Sequence, residues 1–358
     1  MRTKQTHISF IIAFLLMVSN LSAYENGSAT TVYKKLYYEG TETLKAEGWI
    51  KGKLKDGYWK FYNPNGTLSK EGHYINNDRS GFWKNYDLSG HLSSKGHFKQ
   101  NLRVGFWQSY DADLNLSSKG HYKNDLRDGF WVFYEASITI SKGDFIEDKK
   151  NGYWVSYHSN GFMKSEGYYE LGNKSELWRY YNSSGVLYEG GFYSKGYKNG
   201  YWCELDQSGA TKAEGFYKQD AKDGYWKFYE NKKMLSEGAY ANNRQEGHWK
   251  AYYTSGELKE EGAYKAGQPN GYWKQYTKEG VLLSEGHYAK GLRVEFWTEY
   301  DPNTNALEKG HYVADKKDGY WQHEKAEELY RVTKYKNGDV EASWTDYSDY
   351  LAWKKQQK

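Results

Sequence analysis

A tryptophan recurs along this chain at a nearly constant spacing. Twelve of the 15 tryptophans follow one another at intervals of 24 residues, or of 23 in two places. An aromatic residue precedes the tryptophan in nearly every copy, and Tyr follows it three residues later in ten. A fixed period of this length indicates tandem repeats. The repeat tryptophans are Trp59, Trp83, Trp107, Trp131, Trp154, Trp178, Trp202, Trp226, Trp249, Trp273, Trp297 and Trp321.

Each repeat has the pattern of a β-hairpin. In the first full copy the aromatic segment 58–62 is followed by the turn residues Asn63-Pro64-Asn65-Gly66 and then by the polar-alternating segment 67–74. Aromatic runs bounded by Asn, Pro and Gly are typical of strands joined by tight turns. The two 23-residue copies lose their residue in this turn, after Tyr134 and Tyr229, where deletions are best tolerated.

A second turn signal lies six residues before each repeat tryptophan. Gly, Asn or Asp occupies this position in eleven copies, from Asn77 to Asp315, and only Lys53 departs from the pattern. These residue types tolerate a left-handed backbone. We therefore expect a tight connector with positive φ between successive hairpins.

Alternation along the strands predicts two different faces. A closing pair 62:67 would be followed by the pairs 61:68, 60:69, 59:70, 58:71 and 57:72. One face then receives Trp59, Phe61, Leu68, Gly72 and Tyr74, and the opposite face receives Tyr58, Lys60, Tyr62, Ser69, Glu71 and His73. A glycine leaves room for an indole to lie flat on the neighbouring strand. We expect the Trp face to be buried, with the twelve repeat tryptophans as the structural core.

The sequence predicts an all-β fold, an elongated twisted ribbon of about 12 tandem 24-residue hairpins with degenerate caps, because each hairpin contacts mainly its neighbours. Residues 24–47 form the N-terminal cap, 48–324 the repeat array and 325–358 the C-terminal cap. In that last segment, Lys336-Asn337-Gly338-Asp339 indicates one more hairpin. A short helix capped by Thr345 or Asp346 follows, and Tyr347, Tyr350 and Leu351 would cover the last strand.

The first 23 residues have the features of a signal peptide. Arg2 and Lys4 precede an apolar run, 8–18, that is too short to span a bilayer, and Leu21-Ser22-Ala23 offers a small-residue cleavage site. We expect cleavage after about Ala23 and a secreted or periplasmic protein.

Composition narrows the possible partners and sites. The formal net charge is only +4, which disfavours a nucleic-acid partner because phosphate binding needs a surplus of Lys and Arg. A single cysteine, Cys203, excludes an internal disulfide and a multi-thiolate metal site. Cys203 stands where other repeats have Lys, Gln, Val or Arg, so a surface thiol is a better interpretation than a nucleophile.

The segment 261–273 resembles a MORN repeat. It begins Glu261-Gly262-Ala263-Tyr264, continues through Gly267 and ends in Gly271-Tyr272-Trp273. Longer bacterial versions with Gly-aromatic-Trp-x-x-Tyr, called MORN-variant repeats, are the most similar, over roughly residues 36–321. The resemblance implies a hairpin-repeat scaffold, and bacterial proteins of this kind are often labelled antitoxin-like. Because such antitoxins are expected to act in the cytoplasm, the signal peptide favours the scaffold interpretation.

Two rows of repeated side chains are candidates for binding. Histidine recurs at one repeat position, but equivalent positions lie about 10 Å apart, too far to share a zinc ion. Its members are His73, His97, His121, His287 and His311. A basic residue four positions before the tryptophan would either attract an anionic polymer or membrane or, as we favour, keep the connectors soluble and protect the edge. Its members are Lys55, Arg79, Arg103, Arg127, Lys150, Lys174, Lys198, Lys222, Arg293 and Lys317.

These patterns predict a non-catalytic repeat scaffold, secreted or envelope-associated, that binds another protein and needs no cofactor or metal. The alternative is a module that binds glycan, cell wall or a membrane surface through an exposed aromatic ladder. A third interpretation is that the ladder rings only stiffen the ribbon. The candidate binding residues are Tyr201, Tyr225, Tyr229, Tyr272 and Tyr276.

Overall fold

A computed structural model of the chain describes residues 30–356. The predicted signal peptide, residues 1–23, lies outside the described residues. Within them the chain forms 27 strands and one helix. The structure divides into unit 1, which ends at Leu126, and unit 2, which begins at Arg127.

Unit 1 is a series of antiparallel hairpins in which each strand pairs with the next along the chain. Its strands are β1 (Thr31–Tyr37), β2 (Leu44–Lys51), β3 (Leu54–Tyr62), β4 (Leu68–Ile75), β5 (Asp78–Tyr86), β6 (Leu92–Lys99), β7 (Leu102–Tyr110) and β8 (Leu116–Lys123).

Unit 2, described by itself, is also a series of antiparallel hairpins, from β9 to β27. Strand β9 begins at Leu126, the last residue of unit 1, and all later elements lie within unit 2. The strands are β9 (Leu126–Glu135), β10 (Ile138–Ile146), β11 (Lys149–Tyr157), β12 (Met163–Glu170), β13 (Asn173–Tyr181), β14 (Leu187–Ser194), β15 (Tyr197–Leu205), β16 (Thr211–Lys218), β17 (Ala221–Glu230), β18 (Lys233–Ala241), β19 (Arg244–Tyr252), β20 (Leu258–Lys265), β21 (Gln268–Tyr276), β22 (Leu282–Ala289), β23 (Leu292–Asp301), β24 (Ala306–Val313), β25 (Lys316–Lys325), β26 (Glu328–Lys336) and β27 (Asp339–Trp344), and the helix is α1 (Tyr347–Gln356). The prediction of an all-β hairpin-repeat fold is confirmed.

The connectors between hairpins are two-residue turns. Asn76 and Asn77 have φ values of 51° and 72°, and the Gly, Asn or Asp predicted to have positive φ does so in all eleven copies. Two consecutive positive φ values define the turn that matches the twist of paired strands. The Asn77 side chain accepts a hydrogen bond from the backbone N–H of Lys55 at 2.7 Å, which ties this connector to the preceding one.

The predicted register within the hairpin is wrong by two residues. Trp59 lies opposite Gly72 and Tyr62 opposite Leu68, with Ser69 as the extra residue of a β-bulge. The turn closes through Asn63, whose N–H donates to the Thr67 carbonyl at 2.8 Å. Because a shift of two restores the same alternation, the Trp face keeps its other members, and Leu68 moves to the opposite face.

A second bulge positions each tryptophan. Gly72 pairs with Trp83 and His73 with Ser80, so two residues of β5, Gly81 and Phe82, have no partner across this pair. The His73 carbonyl accepts a hydrogen bond from the Trp83 indole N–H at 3.1 Å. A Cβ atom at Gly72 would lie 2.3 Å from the indole ring. The glycine and the bulge together seat the ring, and the twelve repeat tryptophans are 0–5% exposed.

The basic row lies over the aromatic rings of the Trp face. The Arg79 guanidinium is 3.9 Å from the Phe98 ring centroid, and Lys198 Nζ is 4.0 Å from that of Trp202. The expectation that this row lies along a free edge and protects it is therefore wrong, because the side chains lie over the rings of the Trp face. Its alkyl stems and charges cover rings, where cation–π attraction adds to the burial of the tryptophans.

The C-terminal hairpin and helix are present as predicted, but a different helix face packs. The backbone N–H of Ser348 donates to the Asp346 carboxylate at 2.7 Å, so Asp346 caps α1. Tyr350 is 8% exposed and Trp353 packs beside it, whereas Leu351 is 39% exposed. The spacing of Tyr350 and Trp353 by three residues places both on one side of the helix.

Candidate interaction face

An exposed row of rings lies opposite the tryptophans on what we name the outer face. The residue immediately before the repeat tryptophan supplies each ring, because neighbouring residues of a strand point to opposite sides. These rings are 37–51% exposed, an unusual density of open aromatic surface. We name them the outer rings: Tyr58, Phe82 and Phe106 in unit 1, and Phe130, Tyr153, Tyr201, Tyr225, Tyr272, Phe296 and Tyr320 in unit 2.

Most outer rings have a second ring directly across the hairpin. Tyr58 and His73 lie 5.0 Å apart between centroids, and Tyr201 and Phe216 lie 5.6 Å apart. The predicted histidine row supplies this second ring in both units, for example as His287 beside Tyr272 at 5.0 Å. Among residues 30–356 no three His, Cys, Asp or Glu groups are placed to hold a metal ion. The histidines belong to ring pairs.

A glutamate links tyrosines of successive hairpins on the outer face. Glu214 accepts hydrogen bonds from the Tyr201 hydroxyl and, at 2.7 Å, from the Tyr229 hydroxyl. These two bonds hold the pKa of the Glu214 carboxyl below its usual range, against the effect of burial. Burial and the bond to Glu214 raise the pKa of Tyr229 to about 12. The hydroxyl therefore stays protonated and the carboxylate ionised at neutral pH, which makes these bonds charge-assisted.

The same bridge recurs, and lysine replaces the glutamate in some hairpins. Glu71 accepts from Tyr86 at 2.6 Å, and Glu237 accepts from Tyr252 at 2.8 Å. Where lysine takes this position, Lys95 lies 5.5 Å from the centroid of the Tyr110 ring. Either residue fixes the tyrosine three positions after the next tryptophan, by a hydrogen bond or by cation–π attraction.

The five predicted binding residues fall into two groups. Tyr201, Tyr225 and Tyr272 are outer rings, 41%, 48% and 45% exposed. Tyr229 and Tyr276 are half-buried, and their hydroxyls donate to Glu214 at 2.7 Å and to Glu261 at 3.4 Å. Sequence reasoning missed the glutamate bridge and the second ring, although the repeated Glu-Gly-x pattern, with an aromatic residue or histidine often at x, carried the signal.

The single cysteine, Cys203, is not activated as a nucleophile. Burial raises the pKa of the Cys203 thiol, which favours the protonated, less nucleophilic form. In the part of the chain that the structure describes, every buried side-chain nitrogen and oxygen has a hydrogen-bond partner. No helix within these same residues is long and apolar enough to cross a membrane.

Comparison with solved structures gives only a weak likeness. A crystal structure of TcdB2-TccC3-TEV matches at 12% identity, covering 85% of this chain and 17% of that one, with a TM-score of 0.17. The Photorhabdus luminescens Tc holotoxin pore matches at 11% identity over 85% and 15%, also with a TM-score of 0.17. The chain thus spans about a sixth of the length of these proteins. TM-scores this low do not establish a shared fold.

Among curated proteins no relative matches the chain. The family described as MORN repeat variant matches at three places, all within the segment whose sequence resembles such repeats. The matched hairpins have the glycine, bulge and tryptophan geometry found throughout both units. The chain is therefore a tandem array of β-hairpins in which residues 55–76, 245–266 and 269–290 match the MORN repeat variant.

Proposed function

We propose that this protein is an exported, non-catalytic scaffold that binds another protein through the outer face. The observation that carries the proposal is the row of exposed outer rings. Aromatic side chains dominate the energetics of protein interfaces because they bury a large area with few rotatable bonds. Export is proposed from the signal-peptide pattern of residues 1–23.

The support beneath the outer rings favours a binding role over stiffening alone. Glu214 and its equivalents anchor the neighbouring tyrosines, so the exposed rings stand on an ordered surface. A partner that covers pre-positioned rings loses less conformational entropy on binding. Repetition of the rings from hairpin to hairpin also allows several weak contacts to act together.

Glycan binding is the second candidate, and the ring geometry weighs against it. The ring pairs meet at steep angles, for example 68° for Tyr201 with Phe216 and 75° for Phe296 with His311. Such pairs form angular clefts that suit side chains. A sugar ring stacks best on a flat plate.

The experiment is an affinity capture from envelope extract with the full mature chain as bait. The test variant carries Tyr201→Ser, Tyr225→Ser and Tyr272→Ser. The control carries Ile146→Ser and Leu171→Ser, which are 43% and 52% exposed at connectors. We expect a protein that the wild type and the control retain and that the test variant loses. Retention of insoluble polysaccharide, with loss in the same variant, would support the glycan candidate instead.

Export has its own test. Mass spectrometry of the mature protein should give an N-terminus near residue 24, in an extracellular or periplasmic fraction. A protein that starts near Met1 in the cytoplasmic fraction would contradict export and leave the binding face untouched.

A further inference from the structure

Two adjacent hairpins of unit 2 lack the second ring. Tyr225 lies opposite Ala239, and His248, at the same position of the next hairpin, lies opposite Ala263. Tyr225 is 48% exposed. In five other hairpins of this unit the residue across is a ring: Tyr168, Phe192, Phe216, His287 or His311. Phe130 lies opposite Asp144 and is a separate, single exception. We name the surface over Ala239 and Ala263 the alanine notch.

The chain itself shows what occupies such a position. Tyr320 lies opposite Lys334 and so also lacks a ring across the hairpin. Helix α1 supplies the rings: Tyr350 and Trp353 lie 5.6 Å and 5.8 Å from Tyr320 between centroids. This outer ring, which has no ring across the hairpin, is thus completed by aromatic side chains from a helix.

The spacing of the notch also fits a helix. Equivalent positions in successive hairpins are two strands apart, about 9.6 Å. Seven helical residues rise about 10.5 Å, so side chains at i and i+7 reach both alanines. Sheet twist of about 20° per strand limits a straight helix to two or three hairpins. An extended peptide finds no free backbone here, because β17 to β20 pair on both sides.

We propose that the alanine notch binds an amphipathic helix of the partner protein, with aromatic side chains seven residues apart seated over Ala239 and Ala263. The inference rests on the proposed function, protein binding by the outer face, and names the structure of the partner segment. Tyr225 and His248 then flank the two inserted rings, as Tyr320 flanks Tyr350.

The test uses the full mature chain and two fluorescein-labelled 21-residue peptides in an alanine-rich Glu/Lys helical host. One peptide carries Trp at i and i+7. The other carries Trp at i and i+5, which places the two rings about 140° apart around the helix, so that both cannot face the notch. Fluorescence anisotropy should show at least tenfold tighter binding of the i, i+7 peptide.

Filling the notch provides the matched variant. Ala239→Phe with Ala263→Phe copies the residue found at Phe216, so the fold tolerates it, and it should weaken the i, i+7 peptide at least tenfold. Ala289→Phe makes the same change at an exposed strand end and should have no effect. A thermal melt of each variant confirms folding. Equal binding of the two peptides, or unchanged binding to the filled variant, would overturn the inference.

The same variants separate this inference from the proposed function. If envelope capture depends on the outer rings but neither the filled notch nor the peptide spacing matters, protein binding stands and the helical partner is wrong. If the peptide discriminates as expected but no captured protein depends on the outer rings, the notch stands as a helix site and the proposed scaffold role fails.

Discussion

The two faces of the hairpins use the same class of side chain in opposite ways. On the Trp face the repeat tryptophans are 0–5% exposed, and each packs edge-to-face against neighbouring rings, as Trp202 does against Tyr193 at 5.1 Å. On the outer face the adjoining rings pair at similar distances yet stay 37–51% exposed. Contact between rings is therefore not what buries the tryptophans.

The difference arises from what lies beneath and above the ring. The tryptophans lie on glycines of the preceding hairpin, as Trp202 lies on Gly191, and in most repeats a basic side chain covers the ring, as Lys198 does. Most outer rings instead pack beside one ring across the hairpin. A core therefore forms on one face of this single-layered sheet. The glycine leaves room for the indole ring, and the long basic side chain covers it.

The largest expected effect contrasts the faces directly. Trp202→Ala should lower the free energy of unfolding by about 3–5 kcal/mol, because it leaves a cavity over Gly191. Tyr201→Ala should cost about 1 kcal/mol, for a half-exposed ring and one hydrogen bond. Denaturant unfolding of both variants measures the difference. A cost for Tyr201→Ala equal to that for Trp202→Ala would show that the outer ring is also core.

Removing the two helix rings that pack against Tyr320 should destabilise helix α1 without unfolding the rest of the chain. In a Tyr350→Ala, Trp353→Ala variant, α1 loses its contacts with Tyr320, and a ten-residue helix is not stable alone in water. Hydrogen exchange should show loss of amide protection across α1. Leu351→Ala, on the exposed side, is the control and should leave protection in place. Protection that survives the double change would mean that other contacts hold the helix.

Two of the bulges beside the repeat tryptophans have a strained backbone, because a glutamate stands where the other bulges have glycine. The position two before the tryptophan has positive φ throughout, and Glu176 and Glu295 occupy it with φ of 58° and 59°. A non-glycine residue there costs about 1–2 kcal/mol. Glu176→Gly should therefore raise the free energy of unfolding by about 1 kcal/mol, whereas Glu170→Gly, in strand β12, should lower it. Thermal melts of the two variants test the opposite signs.

A carboxylate on the Trp face should add a smaller, pH-dependent effect. His323 donates to Glu308, and with Lys317 this lowers the pKa of the Glu308 carboxyl to about 2 despite burial. A pKa below the unfolded value stabilises the fold above about pH 4.5, and this contribution is lost as the pH falls towards 2. Because Glu308 is half exposed, screening limits the effect to about 1 kcal/mol. Glu308→Gln should flatten the melting temperature across this range, and an unchanged slope would argue against the interaction.

Much of the fold followed from local chemistry in the sequence. The 24-residue period, the two-residue connectors with Asn77 and its equivalents, and the glycine under each tryptophan were all predictable. Each depends on one residue type that a backbone angle or a close contact requires. The row of outer rings was predictable in the same way, from alternation beside the tryptophan.

Only the tertiary structure decided the register, the basic row and the completed ring pairs. The turn is one residue longer than predicted and the bulge at Ser69 adds one more, so the pairing shifts by two residues, and no residue preference marks this shift. Arg79 and its equivalents reach rings of the next strand, and Tyr350 with Trp353 supplies what Lys334 does not. These features depend on distances between side chains that are far apart in the chain. A repeat period specifies which hairpins are neighbours, but it does not specify which of their atoms come into contact.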